Sequence, residues 1–278
     1  MAPHRPRVTF VVPSFNEPAQ IISQSLASVA AQTFDDFECL VVDESTDPQA
    51  AANCRALCAQ DPRFRYLRPE RRLGLAGSLN LGIAQARGEL IARFDSDDLC
   101  LPDRLAKQVS FLAEHPEVDV LGGGLEIIDE DGRTLAFRSY PQTHDGIERR
   151  MHFTTTIAHP TVMMRRRVIE ACGGYNPEFR FAEDLDLWLR LLNHGVQFAN
   201  LPLVLVRYRQ QNTRRSSRHW RFNLRARTRN FGLRRLPQRL LGLAAIALWS
   251  SLPDTLQERI FHRLVLRCDS SPIAPLPR

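Results

Sequence analysis

Short apolar runs and helical periodicities alternate through the first hundred residues. Residues 7–12 are β-branched and apolar and predict a strand, closed by the breaker Pro13-Ser14. Ile21, Ile22, Leu26 and Val29 recur at helical spacing and predict a helix over 18–32. Residues 37–42 form a second apolar run ending at Asp43. After it, 50–59 reads as a helix, 64–67 as a strand, 75–85 as a helix and 90–94 as a buried strand that stops at carboxylates. Strand and helix in this order predict parallel strands joined by crossovers, an α/β class whose ligands gather at the carboxyl ends of the strands. Three of those ends are polar: Pro13-Ser14-Phe15-Asn16-Glu17, Asp43-Glu44-Ser45 and Asp95-Ser96-Asp97-Asp98.

The pattern then changes. A helix is predicted over 102–115, opened by Pro102 and ended by Pro116. Strands are expected at 118–121, 125–128 and 134–137, with a turn at Asp131-Gly132. Residues 151–164 read as irregular and then extended, 185–192 as a helix stopped near Gly195, and 198–206 as a strand interrupted by Pro202. Gly122-Gly123-Gly124 lacks the GxGxxG spacing and a following helix, which excludes a dinucleotide loop.

At 278 residues the chain holds one large α/β domain or two small ones with a shared core, and 44% hydrophobic with 24% charged residues is an ordinary globular balance. The six cysteines include no CxxC pair and no histidine at zinc spacing, so they read as reduced thiols of a cytosolic protein. No signal-type h-region follows the N-terminus. No run reaches the roughly 18 apolar residues of a spanning helix; 240–249 is about half that. A cytoplasmic location is expected. The net charge of +6 is uneven, because no carboxylate lies between Asp186 and Asp254 while arginines run from Arg207 to Arg239. That tail has two readings. One is a helix lying on an anionic membrane surface with Leu240, Leu241, Leu243 and Ile246 immersed. The other is a solvated helical pair packed on the rest of the chain. Nucleic-acid binding would explain the arginines but not three acidic strand tips, so no nucleic-acid partner is expected.

Asp95-Ser96-Asp97 follows a buried strand, and in extended backbone residues i and i+2 point the same way. Two hard oxygen ligands without cysteine or histidine favour Mg²⁺ or Mn²⁺, which would stabilise a departing phosphate as a Lewis acid. The alternative is that Asp97 or Asp98 caps the helix at Pro102. Glu183 and Asp184 open an amphipathic helix, where the macrodipole favours the anion. A carboxylate so placed can act as a general base, worth typically ~10²–10⁴-fold, or can simply cap the helix. His159 is a structural hydrogen-bonder or an acceptor contact; Trp188 belongs to the core or stacks on a ligand.

Taken in order, these motifs resemble family 2 glycosyltransferases of the GT-A fold. Val11-Val12-Pro13-Ser14-Phe15-Asn16-Glu17 is similar to the family's opening strand and nucleotide loop. Val41-Val42-Asp43 is similar to its second tip, with Glu44-Ser45 in place of the usual Asp-Gly-Ser. Leu73-Gly74-Leu75-Ala76 resembles its Gly-rich helix start, and Ala92-Arg93-Phe94-Asp95-Ser96-Asp97-Asp98 its DxD strand. The match continues through Pro102-Asp103-Arg104-Leu105, His159-Pro160-Thr161, Gly173-Gly174-Tyr175 and Glu183-Asp184-Leu185-Asp186-Leu187-Trp188. The resemblance implies a mostly parallel, Rossmann-like nucleotide-binding sheet fused to an acceptor-binding part. It divides the chain into a catalytic region over 1–212, with a nucleotide-sugar half at 1–100 and an acceptor half at 101–212, and a basic helical extension at 213–278. It implies inverting transfer from a nucleotide-diphosphate donor, UDP-sugars first, to a glycan or lipid-linked hydroxyl in cell-surface polysaccharide synthesis.

The resemblance also assigns residues. Pro13, Ser14, Phe15, Glu17, Asp43, Gly74, Asp95, Ser96 and Asp97 bind the donor, with Asp43 on the base. Asp97 and Asp95 hold the metal, Asp184 is the base with Glu183 beside it, and His159, Trp188 and Arg209 touch acceptor or phosphate. Gln211 stands where many relatives have the histidine of Tyr-Arg-x-His, so Arg209, Arg214 or water would have to serve instead. A non-catalytic partner subunit of the same fold is the alternative, against which the intact carboxylates speak.

Overall fold

The computed structural model describes residues 5–210 and 217–252. In chain order the elements are β1 (Val8–Ser14), α1 (Ala19–Ala30), β2 (Phe37–Asp43), α2 (Pro48–Cys58), β3 (Phe64–Leu67), α3 (Gly74–Gln85), β4 (Leu90–Arg93), β5 (Leu99–Cys100) and α4 (Arg104–Glu114). They continue with β6 (Val120–Ile128), β7 (Thr134–Arg138), α5 (His144–Met151), a 3-10 turn (His159–Thr161), β8 (Met163–Arg165) and α6 (Arg166–Ala171). The last are α7 (Glu183–Asn193), β9 (Phe198–Arg209), α8 (Ser217–Arg229) and α9 (Leu236–Ser251).

One sheet runs β3-β2-β1-β4-β8-β6-β9-β5, with β7 on β6. The first four strands are mutually parallel, and β8 enters antiparallel between β4 and β6. Successive side chains of β1 feed opposite faces of the sheet. Phe10 and Val12 join Ile22, Leu26, Val29 and the α4 residues Leu105, Val109 and Leu112. Val11 packs instead with Leu79 and Ile83 of α3 and with Leu187, Leu189 and Leu191 of α7. Helices therefore cover both faces, which is why the parallel strands read as unbroken apolar runs.

Three predicted interruptions do not end their strands. Pro13 lies inside β1. The Val11 carbonyl bonds Phe94 N toward β4 and the Ser14 carbonyl bonds Glu44 N toward β2. Alternation therefore turns the Pro13 nitrogen toward β4, whose pairing has already ended at Val11↔Arg93, and no ladder bond is lost. Residues 118–121 and 125–128, expected as two strands, belong to the single strand β6, running through Gly122-Gly123-Gly124. A Cβ on Gly123 would sit 2.5 Å from Leu205 Cδ1 and one on Gly124 3.0 Å from the Arg138 carbonyl, so these glycines admit β9 and β7 at close range. Pro202 falls in a bulge where the register jumps from Gly122↔Asn200 to Gly124↔Val204, and β9 continues to Arg209. The segment 151–164, read as irregular and then extended, is flanked by α5, which ends at Met151, and by α6 after β8; neither helix was predicted.

Candidate active site at the carboxyl ends of the strands

The β1 and β2 tips are tied together. Asn16 adopts a left-handed conformation (φ 55°), and its backbone N–H donates to Ser45 Oγ at 2.8 Å. Its Oδ1 accepts from Thr46 N (2.8 Å) and Asp47 N (3.0 Å). Asp43 is fully enclosed: one carboxylate oxygen takes Ser45 N (3.0 Å) and Ser45 Oγ (2.5 Å), the other Tyr66 Oη (2.7 Å) and Arg68 Nη1 (3.1 Å). About four lone-pair sites are all a carboxylate offers, so Asp43 meets a further donor only by exchange. Glu44, the departure from the family pattern, accepts from Leu73 N and from Gly74 N (3.0 Å), closing the β2 tip onto the start of α3. Gly74 has φ +72°, which an L side chain rarely adopts. Phe15 is exposed, with Arg72 stacked 4.0 Å over its ring.

The β4 end supplies the next cluster. Asp95 is ion-paired with the buried Arg93 guanidinium. Ser96 Oγ donates to Glu17 Oε1 at 3.1 Å. Burial, and then the charges of Asp97 and Asp95, push the Glu17 carboxyl up to about 7 against the Ser96 hydrogen bond. Asp98 is buried beneath them; burial and its acidic neighbours hold its carboxyl well above the usual range, and Oδ1 accepts Arg209 N at 2.8 Å. Neither Asp97 nor Asp98 caps α4, because β5 intervenes and Asp103 precedes that helix. Arg209, expected at a phosphate, is buried behind the tip. It donates to the carbonyls of Asp97 (3.0 Å) and Glu130 (2.6 Å) and to Gln24 Oε1 (3.1 Å), so it supports the metal-binding candidate from the back. Gln211 and Arg214 lie outside the described residues.

Glu183 and Asp184 open α7 directly after Ala182, which is left-handed at φ 57°. Asp184 Oδ1 accepts from Leu185 N at 2.7 Å. Burial and then Asp184 raise the Glu183 carboxyl; Arg93 opposes the rise and Asp95 adds to it. The two acidic clusters therefore meet across Arg93. Sequence reasoning missed that residue, although a charged side chain inside an apolar run was a visible signal. Tyr175 joins the same neighbourhood, its phenol raised by burial and by Asp184, Glu183 and Asp95. Asn80 of α3 fixes its backbone through two 2.8 Å bonds. His159 Nε2 pairs with Tyr175 Oη at 2.8 Å; burial and then Arg93 hold this imidazole neutral. Trp188 packs edge-on against His159 and Phe198 in the core. His159 and Trp188 thus line the site from behind and are not open contacts for an acceptor.

A parallel half-sheet with acidic tips, continued by antiparallel strands and faced by an acidic helix start, has the architecture of GT-A glycosyltransferases. The chain belongs to glycosyl transferase family 2, whose description matches residues 9–173, and it is a glycosyltransferase. It is 33% identical over 196 residues to the O-antigen biosynthesis glycosyltransferase WbnJ of Escherichia coli, covering 68% of this chain and 74% of that one. It is 31% identical over 199 residues to the amylovoran biosynthesis glycosyltransferase AmsE of Erwinia amylovora, covering 69% and 72%. Residues 1–349 of S. aureus TarS share the fold with a TM-score of 0.67 at 19% identity, over 93% of this chain and 75% of that one. The mannosyltransferase PcManGT of Pyrobaculum calidifontis, solved with GDP-Man and Mn²⁺, does so with a TM-score of 0.63 at 20% identity, over 95% and 81%.

Proposed function

We propose that this enzyme moves a sugar, with inversion, from a nucleoside diphosphate donor to a hydroxyl of a glycan or lipid-linked acceptor during cell-surface polysaccharide synthesis. UDP-sugars are the first choice of donor. The proposal is carried by the convergence of Asp95 and Glu183 on Arg93, with Asp184 beside Glu183. The relatives act in O-antigen and amylovoran biosynthesis, and TarS has been solved with UDP-GlcNAc. Residues 1–100 bind the donor, 101–212 face the acceptor, and 213–278 form the extension.

In that scheme Pro13, Ser14, Phe15 and Gly74 shape the nucleotide cradle. Asp43 lies at the base end, where pairing with the base requires Tyr66 or Arg68 to release it. Asp97 and Asp95 would hold Mg²⁺ or Mn²⁺, with Ser96 bonded to Glu17 fixing the tip between them. Hard oxygen donors suit those ions, and the like-charge pressure on Glu17 is what a divalent cation would relieve. Among the described residues no group of three His, Cys, Asp or Glu is gathered that could hold a metal ion by itself. The ion, when bound, supplies positive charge against the departing diphosphate. Asp184 accepts the proton of the attacking hydroxyl while the new bond to the anomeric carbon forms and the bond to the diphosphate oxygen breaks. Glu183 and Arg93 set the charge around it. The outer face of α9 makes peripheral contact with an anionic lipid surface at the inner side of the cytoplasmic membrane.

Screening UDP-sugars by Mn²⁺-dependent thermal shift tests the donor class. Asp97→Ala should abolish the Mn²⁺-dependent shift, and an unchanged titration removes Asp97 as ligand. Asp184→Asn should bind UDP with Mn²⁺ as the parent does yet lose transfer by ~10²-fold or more; retained transfer removes Asp184 as base.

A further inference from the structure

We infer that α8 is a positioning element for the turn that presents Asp184, with Phe222 at its centre. This rests on Asp184 being the base, and it concerns a helix beyond the region that the family description matches.

A left-handed Ala182 is held only where its surroundings over-determine it. Tyr175 and Gly174 fasten one end of the 174–182 segment: Arg190 of α7 donates to the carbonyls of Cys172 (2.7 Å) and Gly174 (2.6 Å). The outer side is held by α8. The Phe222 ring meets Phe179 and Phe181, each with centroids 5.9 Å apart, and Phe181 also meets His219 at 6.2 Å. Arg225 lies 5.2 Å over the Phe179 ring, and Arg225 and Arg229 both reach Glu178, at 2.7 and 3.1 Å.

Three further bonds lock α8 to α7 and to the body. Asn230, just past α8, donates to Asp186 Oδ1 at 2.9 Å, while Arg190 takes Oδ2 at 2.9 Å. Buried Arg227 donates to the carbonyls of His152 (2.9 Å) and Met151 (3.1 Å). Burial lowers the Arg227 guanidinium to about 10, and the carboxylate that opposes this is Asp184. The base candidate thus lies within electrostatic reach of α8. Misplacing a reacting group by about 1 Å can cost ~10²-fold, so a helix that sets this turn acts on turnover without touching the donor.

The test compares Phe222→Ala with Phe222→Tyr in the full chain, using the UDP-sugar selected by thermal shift. Phe222→Ala should lower kcat by about tenfold or more with donor KM and UDP–Mn²⁺ affinity unchanged; Phe222→Tyr should restore the parent rate. An unaltered kcat, or equal losses of kcat and UDP affinity, overturns the proposal. Arg225→Gln with Arg229→Gln alters only exposed side chains and gives a second measurement. Amide exchange over 178–186 should rise there while the 14–17 and 43–47 tips stay protected; unchanged exchange over 178–186 counts against α8. A fully active Asp184→Asn would remove the base assignment itself. A dead Asp184→Asn beside a fully active Phe222→Ala would remove only the role of α8.

Discussion

Glu17 shows how single residues set the site's electrostatics. It is half-buried, bonded to Ser96 and faced by Asp97 and Asp95, and its carboxyl is pushed up to about 7 from the ordinary 4.5. Between those values the folded chain keeps a proton that the unfolded chain has released. Stability therefore rises as pH falls from about 7 toward 4.5 and is lost as pH climbs through 7. Glu17→Gln should flatten this limb: melting temperatures of parent and variant at pH 6 and pH 8 would converge or cross, with the variant favoured at pH 8. Parallel pH profiles would show that Glu17 does not carry the charge pressure of the tip. Arg93 makes the complementary point. Its guanidinium is buried with Asp95 as its ion-pair partner, and removing one member of such a pair strands the other. The same charge acts on Glu183 and on the Tyr175 phenol. One residue within a strand thus joins acidic clusters nearly ninety positions apart.

Elements position these residues through contacts that local sequence does not announce. Glu44 directly follows β2, yet its carboxylate satisfies the Leu73 and Gly74 N–H groups at the start of α3. Losing such a cap costs ~1 kcal/mol, so Glu44→Ala should lower urea stability by about that much. It should also weaken UDP–Mn²⁺ binding several-fold while leaving kcat at saturation intact; unchanged UDP affinity would separate this cap from the cradle. The parallel strands were legible because burial on both faces leaves an unbroken apolar run. Breakers were over-read: Pro13, Pro202 and Gly122-Gly123-Gly124 are tolerated by what lies across the sheet, a partner not visible in a linear window. Polar α5 and the six-residue α6 gave too little apolar periodicity to see. The carboxylates could be named from their strand-end and helix-start positions. Arg93, Tyr175 and the supporting role of Arg209 depend on contacts between residues far apart in the chain.

For the whole molecule, the question is how the enzyme meets its acceptor. A surface helix ordinarily turns its apolar stripe inward. In α9 Ile246, expected on the membrane side, instead faces inward with Gly242, and Arg239 is buried beside them, donating to Asn193 Oδ1 and the Asn230 carbonyl at 2.7 Å each. Leu240, Leu241 and Leu248 are 52%, 62% and 68% exposed, and Pro237 and Ala244 lie on the same outward stripe. Leu233, just before the helix, is 83% exposed. No helix among the described residues is long and apolar enough to cross a membrane, so such a stripe can lie on a bilayer but not span it. Arg234 and Arg235 beside the stripe are ion-paired with Glu148 and Asp145, so it is the chain's net charge of +6 that favours anionic headgroups and disfavours a second copy bearing the same charge. The full chain should float with vesicles containing phosphatidylglycerol and not with phosphatidylcholine alone. Leu240→Ser, Leu241→Ser and Leu248→Ser combined should abolish flotation while leaving UDP–Mn²⁺ binding unchanged. Equal flotation of parent and variant, or a parent oligomer that the same changes disperse, would assign the stripe to something other than lipid.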